Sequence, residues 1–239
     1  MPKIAVVAAL EREVRGLTKN CRRIEREHQG RNFVFFERKG EDENMVIVCG
    51  GIGLEAARRA AEAVIALYHP IGLQSVGFAG ALDQTMHVGD VFIPSAVIDA
   101  RDGSRVFVAD VDNRDSLVTF MSVAGAQQKR NLAQAFGAKA VDMEAAAVAA
   151  AAAAHGLSFG ATKVISDELD FDMPEMARFI DARGQFRTAA FAGFLALRPW
   201  LWLRVAALAR NSRKAARALG SHLEQLGQKQ IVPVEANTS

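Results

Sequence analysis

Two cysteines, Cys21 and Cys49, are all that the 239 residues contain. That excludes a disulfide framework and favours a reducing, cytoplasmic setting. A continuous apolar run of the roughly 20 residues that a bilayer span needs is also missing. The best candidate, around Trp200–Leu203, is interrupted by Arg198, Pro199 and Arg204. The opening Met1-Pro2-Lys3 and Ile4 to Leu10 is too short for a signal segment with its cleavage site and reads as a buried first strand. His28, His69, His87, His155 and the cysteines lack metal-ligand spacing, so no metal is expected. No repeat with a period of about 20–50 residues is visible, and no linker splits the body. Acidic residues vanish from Ala182 to Leu223, where eight basic residues stand. The rest holds 21 basic against 27 acidic residues, a net of −6. An acidic body whose basic residues form no reader motif argues against a nucleic-acid role.

What is present is an ordinary globular balance, 50% apolar and 23% charged, enough to bury a core and to exclude disorder as the main state. Apolar runs at Ile4–Leu10, Phe33–Phe36, Met45–Cys49, Leu73–Phe78, Val91–Ile93, Leu117–Val123 and Ala161–Ile165 predict buried strands. Helical patterns at Leu54–Leu67, Gln127–Phe136 and Met143–His155 lie between them, the last closed by Gly156 as a C′ glycine. From Met173 onward the pattern is helical, broken by Pro199 and resuming from Trp200 to about Leu219, with a frayed tail at Val232–Ser239. The alternation predicts a single α/β domain, a mixed central sheet flanked by helices, over residues 1–185. A basic helical extension, residues 186–239, packs on the same domain.

Three glycine turns follow strands: Gly50-Gly51-Ile52-Gly53, Gly77-Phe78-Ala79-Gly80, and Gly89 before Asp90. Glycines there let backbone N–H groups approach an anion or sugar, though simple steric need explains them equally well. The dinucleotide fingerprint is incomplete. Acids gather at three strand ends: Glu11 and Glu13, Asp142 and Glu144, Asp167 and Glu168. Asp142 and Glu144 stand at a helix start, where capping is the plain alternative to chemistry.

These motifs, in order from Ala8-Ala9-Leu10-Glu11-Arg12-Glu13-Val14 through Gly77–Asp83, Val88–Val91 and Val141-Asp142-Met143-Glu144-Ala145 to Ile165-Ser166-Asp167, resemble the nucleoside phosphorylase superfamily over roughly residues 3–170. The likeness is to its methylthioadenosine/S-adenosylhomocysteine nucleosidase side. Asp142, the short segment from Ile98 to Asp142 and the Arg198-Pro199 element with its basic helix look closer still to the hopanoid-associated phosphorylase branch. The resemblance implies an enzyme that splits the N-glycosidic bond of an adenine nucleoside, of adenosylhopane type or methylthioadenosine-like, by phosphorolysis or hydrolysis. It implies no cofactor, with phosphate a candidate co-substrate, and a homo-oligomer such as a homodimer, for which the apolar face of Leu54–Leu67 is a candidate contact. Asp167 would assist the leaving base, its pKa held up by a partly dry site. Glu13 would position water. Glu144 would bind the ribose hydroxyls and Met143 the sugar, with Phe78, Ala79, Gly80 and Ser166 completing the substrate site. Gly51, Gly53 and Arg58 are the candidates for phosphate or water, with Arg12 a second basic candidate. One departure is Phe78, where nucleosidases have serine, and Val123-Ala124-Gly125-Ala126 lacks their aromatic base-binding segment. The competing reading is a non-catalytic nucleoside- or lipid-binding protein on the same fold.

The extension has a purpose of its own to explain. On a helical wheel Val205, Leu208, Ala209, Ala215, Ala216 and Leu219 share one face, and Arg210, Arg213, Lys214 and Arg217 share the other. Trp200 and Trp202 make an aromatic start. Such a helix packs on its own body or lies on an anionic membrane surface. The expected location is cytoplasmic, free or membrane-associated.

Overall fold

The computed structural model describes residues 4–19, 21–38, 45–108, 111–171, 176–181 and 184–228. Met1–Lys3, Met173 and the tail Val232–Ser239 lie outside them. The first strand, β1 (Ile4–Ala8), is buried on both faces, which is why it is apolar without alternation. A short helix, α1 (Arg15–Thr18), leads to the antiparallel pair β2 (Cys21–His28) and β3 (Arg31–Arg38). Then come β4 (Met45–Cys49), α2 (Leu54–Tyr68) and β5 (Gly72–Ala81). Four short strands follow, β6 (Val91–Phe92), β7 (Ala96–Asp99), β8 (Arg105–Phe107) and β9 (Ser116–Thr119). The chain continues through α3 (Ala126–Phe136), β10 (Ala140–Asp142), α4 (Ala145–Ala154) and β11 (Ser158–Asp167). It ends in α5 (Thr188–Ala196) and the long α6 (Trp202–Gln228).

The eleven described strands form one mixed sheet, ordered β2-β3-β4-β1-β5-β10-β9-β7-β8, with β11 beside β5 and β6 beside β11. Alternate side chains of β1 feed two cores. Ala5 and Val7 join Ala57, Ala61 and Val64 of α2 and the alanines of α4. Val6 and Ala8 join Val76, Val164 and three residues of α6, Ala215, Leu219 and Leu223. The layers are therefore helix, sheet, helix, with α6 supplying one outer layer.

The expected strands are all present, with ends shifted by a few residues. Four strands carry no clear sequence signal. β2 is mostly charged and exposed along its length, β7 and β8 are short, and β10 has three residues. The Leu117–Val123 run stops being strand at Thr119, because the chain then turns to place Ser122 and Val123 at the cavity described below. Gly156 does close the alanine helix, at φ +65. The C-terminal region is not helical throughout: Ile180 and Phe186 form an antiparallel bridge, and a 3₁₀ turn at Pro199–Leu201 precedes α6. The apolar face of α2, a candidate subunit contact, is spent inside the protomer. Ala57, Ala60, Ala61 and Val64 are buried against the sheet and α4.

Candidate active site

β5 is the strand on which the site is built. Its first half, Gly72–Val76, pairs in parallel with β1. Where β1 ends, β5 continues and takes β10 as an antiparallel neighbour at Gly80 and Ala81. β11 runs beside it throughout. The fork opens a crevice beyond the carboxyl end of β1, the place where ligands settle in α/β sheets.

The first charged group gathers around Lys163. This lysine interrupts the apolar strand β11 and is only 1% exposed. Its Nζ lies 2.9 Å from Asp142 Oδ2 and donates to Ser75 Oγ at 3.0 Å. Asp142 is held further by the Thr119 hydroxyl at 2.6 Å and the Ala145 N–H at 2.8 Å. Asp142 therefore satisfies the α4 start, and Glu144 is left free of that duty. Glu144 instead accepts from the Gly53 N–H at 2.8 Å, a residue 91 positions away. Glu13 follows the turn after β1, accepting the Leu10 N–H at 3.2 Å. A Cβ on Gly77 would lie 3.1 Å from its Oε2 and 3.9 Å from Lys163 Nζ. One buried ammonium thus serves three carboxyls. Burial pushes the Glu13 carboxyl up, against the pull of the Leu10 N–H and Lys163. Desolvation, with the charge of Asp142, pushes Glu144 up to about 8. Glu144 therefore favours its protonated form at neutral pH.

The second charged group lies at the end of β11. A bulge between Ile165 and Asp167 shifts the register and brings Asp167 opposite Gly80. Asp167 is buried, as expected of an acid in a dry site, but its partner is a cation. Lys129 of α3, itself 1% exposed, forms an ion pair with Oδ2. The Ser166 hydroxyl donates to Oδ1 at 2.7 Å. Lys129 also donates to the Glu168 carbonyl at 2.6 Å.

Both groups open on one cavity of about 1010 Å³, at the upper end of what small-molecule sites occupy. Glu13, Met143, Glu144 and Asp167 line it, as do Phe78, Ala79, Gly80 and Ser166. Gly77 and Gly80, which give room to the two acids, are three residues apart, about 10 Å along a strand, the scale of a nucleoside. Ser122, Val123 and Ala124 line the cavity as well, as does Lys129. The far wall is C-terminal: Phe186 and Phe191, then Val205, Leu208 and Ala209 of α6. Gly16 of α1 and Gly220 of α6 allow this closeness, since a Cβ on Gly16 would meet the Gly220 Cα at 3.0 Å.

The phosphate candidates fare differently. Gly51 and Gly53 have φ +99, but the N–H groups of their loop already have partners. Gly50 donates to Ala8, Gly51 to Ala9, Ile52 to Gly184 and Gly53 to Glu144. Arg58 lies on the outer side of α2, its guanidinium held by Glu55 and Glu62, and it does not line the cavity. Its helical register turns it away from the loop that precedes it. Arg12 does line the cavity. The basic residues of α6 divide: Arg213 and Arg217 border the main cavity, while Arg210 and Lys214 border a groove with Glu168 and Asp170.

Two site residues escaped the sequence reading. Lys163 had a signal, a lysine inside the otherwise apolar Ala161–Ile165 run. Lys129 had none, since it sits in a polar helical stretch, Gln127-Gln128-Lys129-Arg130, where a lysine is ordinarily solvated.

Residues 3–122 and 117–196 match the sequence family described as the phosphorylase superfamily. No curated protein matches the chain in sequence. Its fold is similar to that of the 5′-methylthioadenosine nucleosidase of Arabidopsis thaliana in apo form, with a TM-score of 0.73 and 17% identity over 98% of both chains. It is similar to the 5′-methylthioadenosine/S-adenosylhomocysteine nucleosidase of Helicobacter pylori, with a TM-score of 0.69 and 15% identity over 95% of this chain and 98% of the other. The futalosine hydrolase of Helicobacter pylori gives 0.65 and 17% over 94% and 98%. At such identities the likeness is one of fold.

Proposed function

The chain belongs to the phosphorylase superfamily, and from that premise we propose that it is an N-ribosyl-cleaving enzyme acting on an adenine nucleoside with an apolar 5′ substituent. The substrate class spans adenosylhopane-type lipid nucleosides and methylthioadenosine- or S-adenosylhomocysteine-like ones, and the nucleophile is water. The observation that carries this reading is a single cavity in which Glu13, Glu144 and Asp167 meet an apolar wall from Phe186, Phe191, Val205 and Leu208. Fold neighbours named as methylthioadenosine nucleosidases and as a futalosine hydrolase support the reaction class.

Breaking C1′–N9 builds cationic character on the ribose and negative charge on the base. Glu144 meets the ribose hydroxyls. Burial favours its protonated form, and a protonated carboxyl both donates and accepts. As positive charge grows on the sugar, the Glu13 carboxylate beside it stabilises that charge, so the site favours the transition state over the ground state. Glu13 accepts a proton from the attacking water. Asp167 faces the departing base. Water is favoured over phosphate because the glycine-loop N–H groups are already engaged.

The apolar wall continues to an exposed element. Leu197, Trp200, Trp202 and Leu203 are 56–84% exposed, beside Arg198 and Arg204 in a segment without acids. This element, rather than the packed second half of α6, would lie in an anionic membrane surface and receive a lipid-borne substrate. Among the described residues no single helix is long and apolar enough to cross a membrane.

The test incubates the protein with methylthioadenosine and with adenosine carrying a long 5′-alkyl chain, each with and without inorganic phosphate. Adenine and free sugar in equal amounts, independent of phosphate and faster from the alkyl substrate, are expected. A sugar 1-phosphate formed only with phosphate would overturn water as nucleophile. No adenine from either substrate would leave a nucleoside- or lipid-binding protein.

A further inference from the structure

We propose that Lys129 supplies the proton taken up by the departing purine, passing it through Asp167; the proposal rests on the N-ribosyl-cleaving reading above. A lysine 1% exposed is rare and persists only when its charge is matched. Lys129 is matched entirely from the end of β11. Its ammonium is paired with Asp167 Oδ2 and donates to the Glu168 carbonyl at 2.6 Å and the Asp167 carbonyl at 3.5 Å. The other carboxylate oxygen accepts the Ser166 hydroxyl. A carboxylate bound by an ammonium and a hydroxyl carries no proton of its own to give. The base-facing role of Asp167 therefore needs a proton source. Lys129 is in contact with it and lines the same cavity.

The charged groups next along the chain and in the neighbouring cluster have partners of their own. The Glu168 carboxylate faces His87 at 3.3 Å, Arg130 is bound to Asp170, and Lys163 is engaged by Asp142 beside Glu13 and Glu144. The step then balances. As C1′–N9 breaks, its electron pair stays with the purine. One Nζ proton of Lys129 moves to Asp167 Oδ2, and Asp167 passes that same proton on to N7. The purine leaves neutral, Asp167 is again a carboxylate, and Lys129 is a neutral amine. C1′ bonds to the water oxygen, and the water proton goes to Glu13. Lys129 then regains a proton from solvent and Glu13 releases one.

Arginine separates proton donation from mere charge, because a guanidinium does not give up its proton in a protein. The experiment measures adenine release from methylthioadenosine between pH 5 and 9 for wild type, K129R, K129M and K129A. K129M is expected to lose about 10²-fold or more near neutrality. It should recover toward acid pH, where Asp167, freed of the cation, takes its own proton. K129R should keep its melting temperature and remain at least about 10-fold slow. K129A should regain rate in proportion to added methylamine. K129R at the wild-type rate would reduce Lys129 to a charge, and K129M with an unshifted pH profile would remove it from the reaction; either result overturns the proposal. If K129M and K129A do not fold, K129R decides alone. Wild type that releases no adenine overturns the functional reading and this inference together, whereas active wild type with unaffected variants overturns this inference only.

Discussion

Gly80 and Asp167 face one another across the bulge in β11, and a methyl group on Gly80 would sit 2.8 Å from Asp167 Oδ2 and 3.0 Å from Lys129 Cε. The missing side chain is what lets the ion pair close. Gly80→Ala should therefore displace the pair and leave the strand intact. We expect kcat to fall by about 10²-fold with a melting temperature within a few degrees of wild type, measured by adenine release and thermal melts. Wild-type turnover would mean the carboxylate does not need that position.

Asp167→Asn keeps the volume and removes the proton carrier. Turnover should drop by about 10²-fold or more. It also leaves Lys129 buried without its counter-charge, a loss of about 3–5 kcal/mol. The double variant with Lys129→Met should recover much of the stability and none of the activity. Urea unfolding of D167N, K129M and the double variant checks this, and stability of D167N equal to wild type would contradict the pairing.

Glu144 gives a pH dependence of stability with a definite sign. Its carboxyl is raised in the fold from an ordinary value of 4.5 to about 8. Between those limits the folded chain holds a proton that the unfolded chain has lost. The contribution is full below the unfolded value and disappears as pH rises through the folded one. Stability should fall between about pH 5 and 8 by up to about 1.4 kcal/mol per unit from this group, with Glu13 acting in the same direction. Glu144→Gln should flatten the fall and raise KM. Urea midpoints from pH 5 to 9 read the first, and a curve unchanged by the substitution would count against it.

Arg58 stands outside the site, bound to Glu55 and Glu62. Arg58→Ala should leave adenine release within about two-fold of wild type, with or without phosphate, as for surface substitutions generally. A ten-fold fall dependent on phosphate would return Arg58 to the reaction.

Vesicle sedimentation tests the exposed aromatic element. Binding to anionic vesicles at low salt should weaken as salt rises, and changing Trp200 and Trp202 to Ser should abolish it. No sedimentation at low salt would assign those tryptophans no membrane role.

The buried parallel strands, the alanine helix with its closing glycine, and the set of acids at three strand ends are all written in the chain, because local apolar pattern and turn chemistry specify them directly. The choice of Glu13, Glu144 and Asp167 among those acids comes instead from the resemblance of their motifs to the nucleoside phosphorylase superfamily. Other features depend on distant partners. β2 is charged and becomes a strand only because β3 offers it a hydrogen-bonding edge. Arg58 stands one turn past a glycine loop, and its helical face turns it outward to Glu55 and Glu62. The division of labour between Asp142, which caps, and Glu144, which reaches Gly53, follows from where Thr119 and Lys163 stand. Lys129 shows this dependence most plainly. Nothing in Gln-Gln-Lys-Arg distinguishes a solvated lysine from a buried one. Only the packing of α3 against the end of β11, some 38 residues later in the chain, strips that ammonium of water and gives it Asp167 instead. The sequence by itself therefore determined the α/β alternation and the acids at its strand ends. Tertiary structure decided which of them carry charge, since that depends on the desolvation and the counter-ion each receives from elsewhere in the chain.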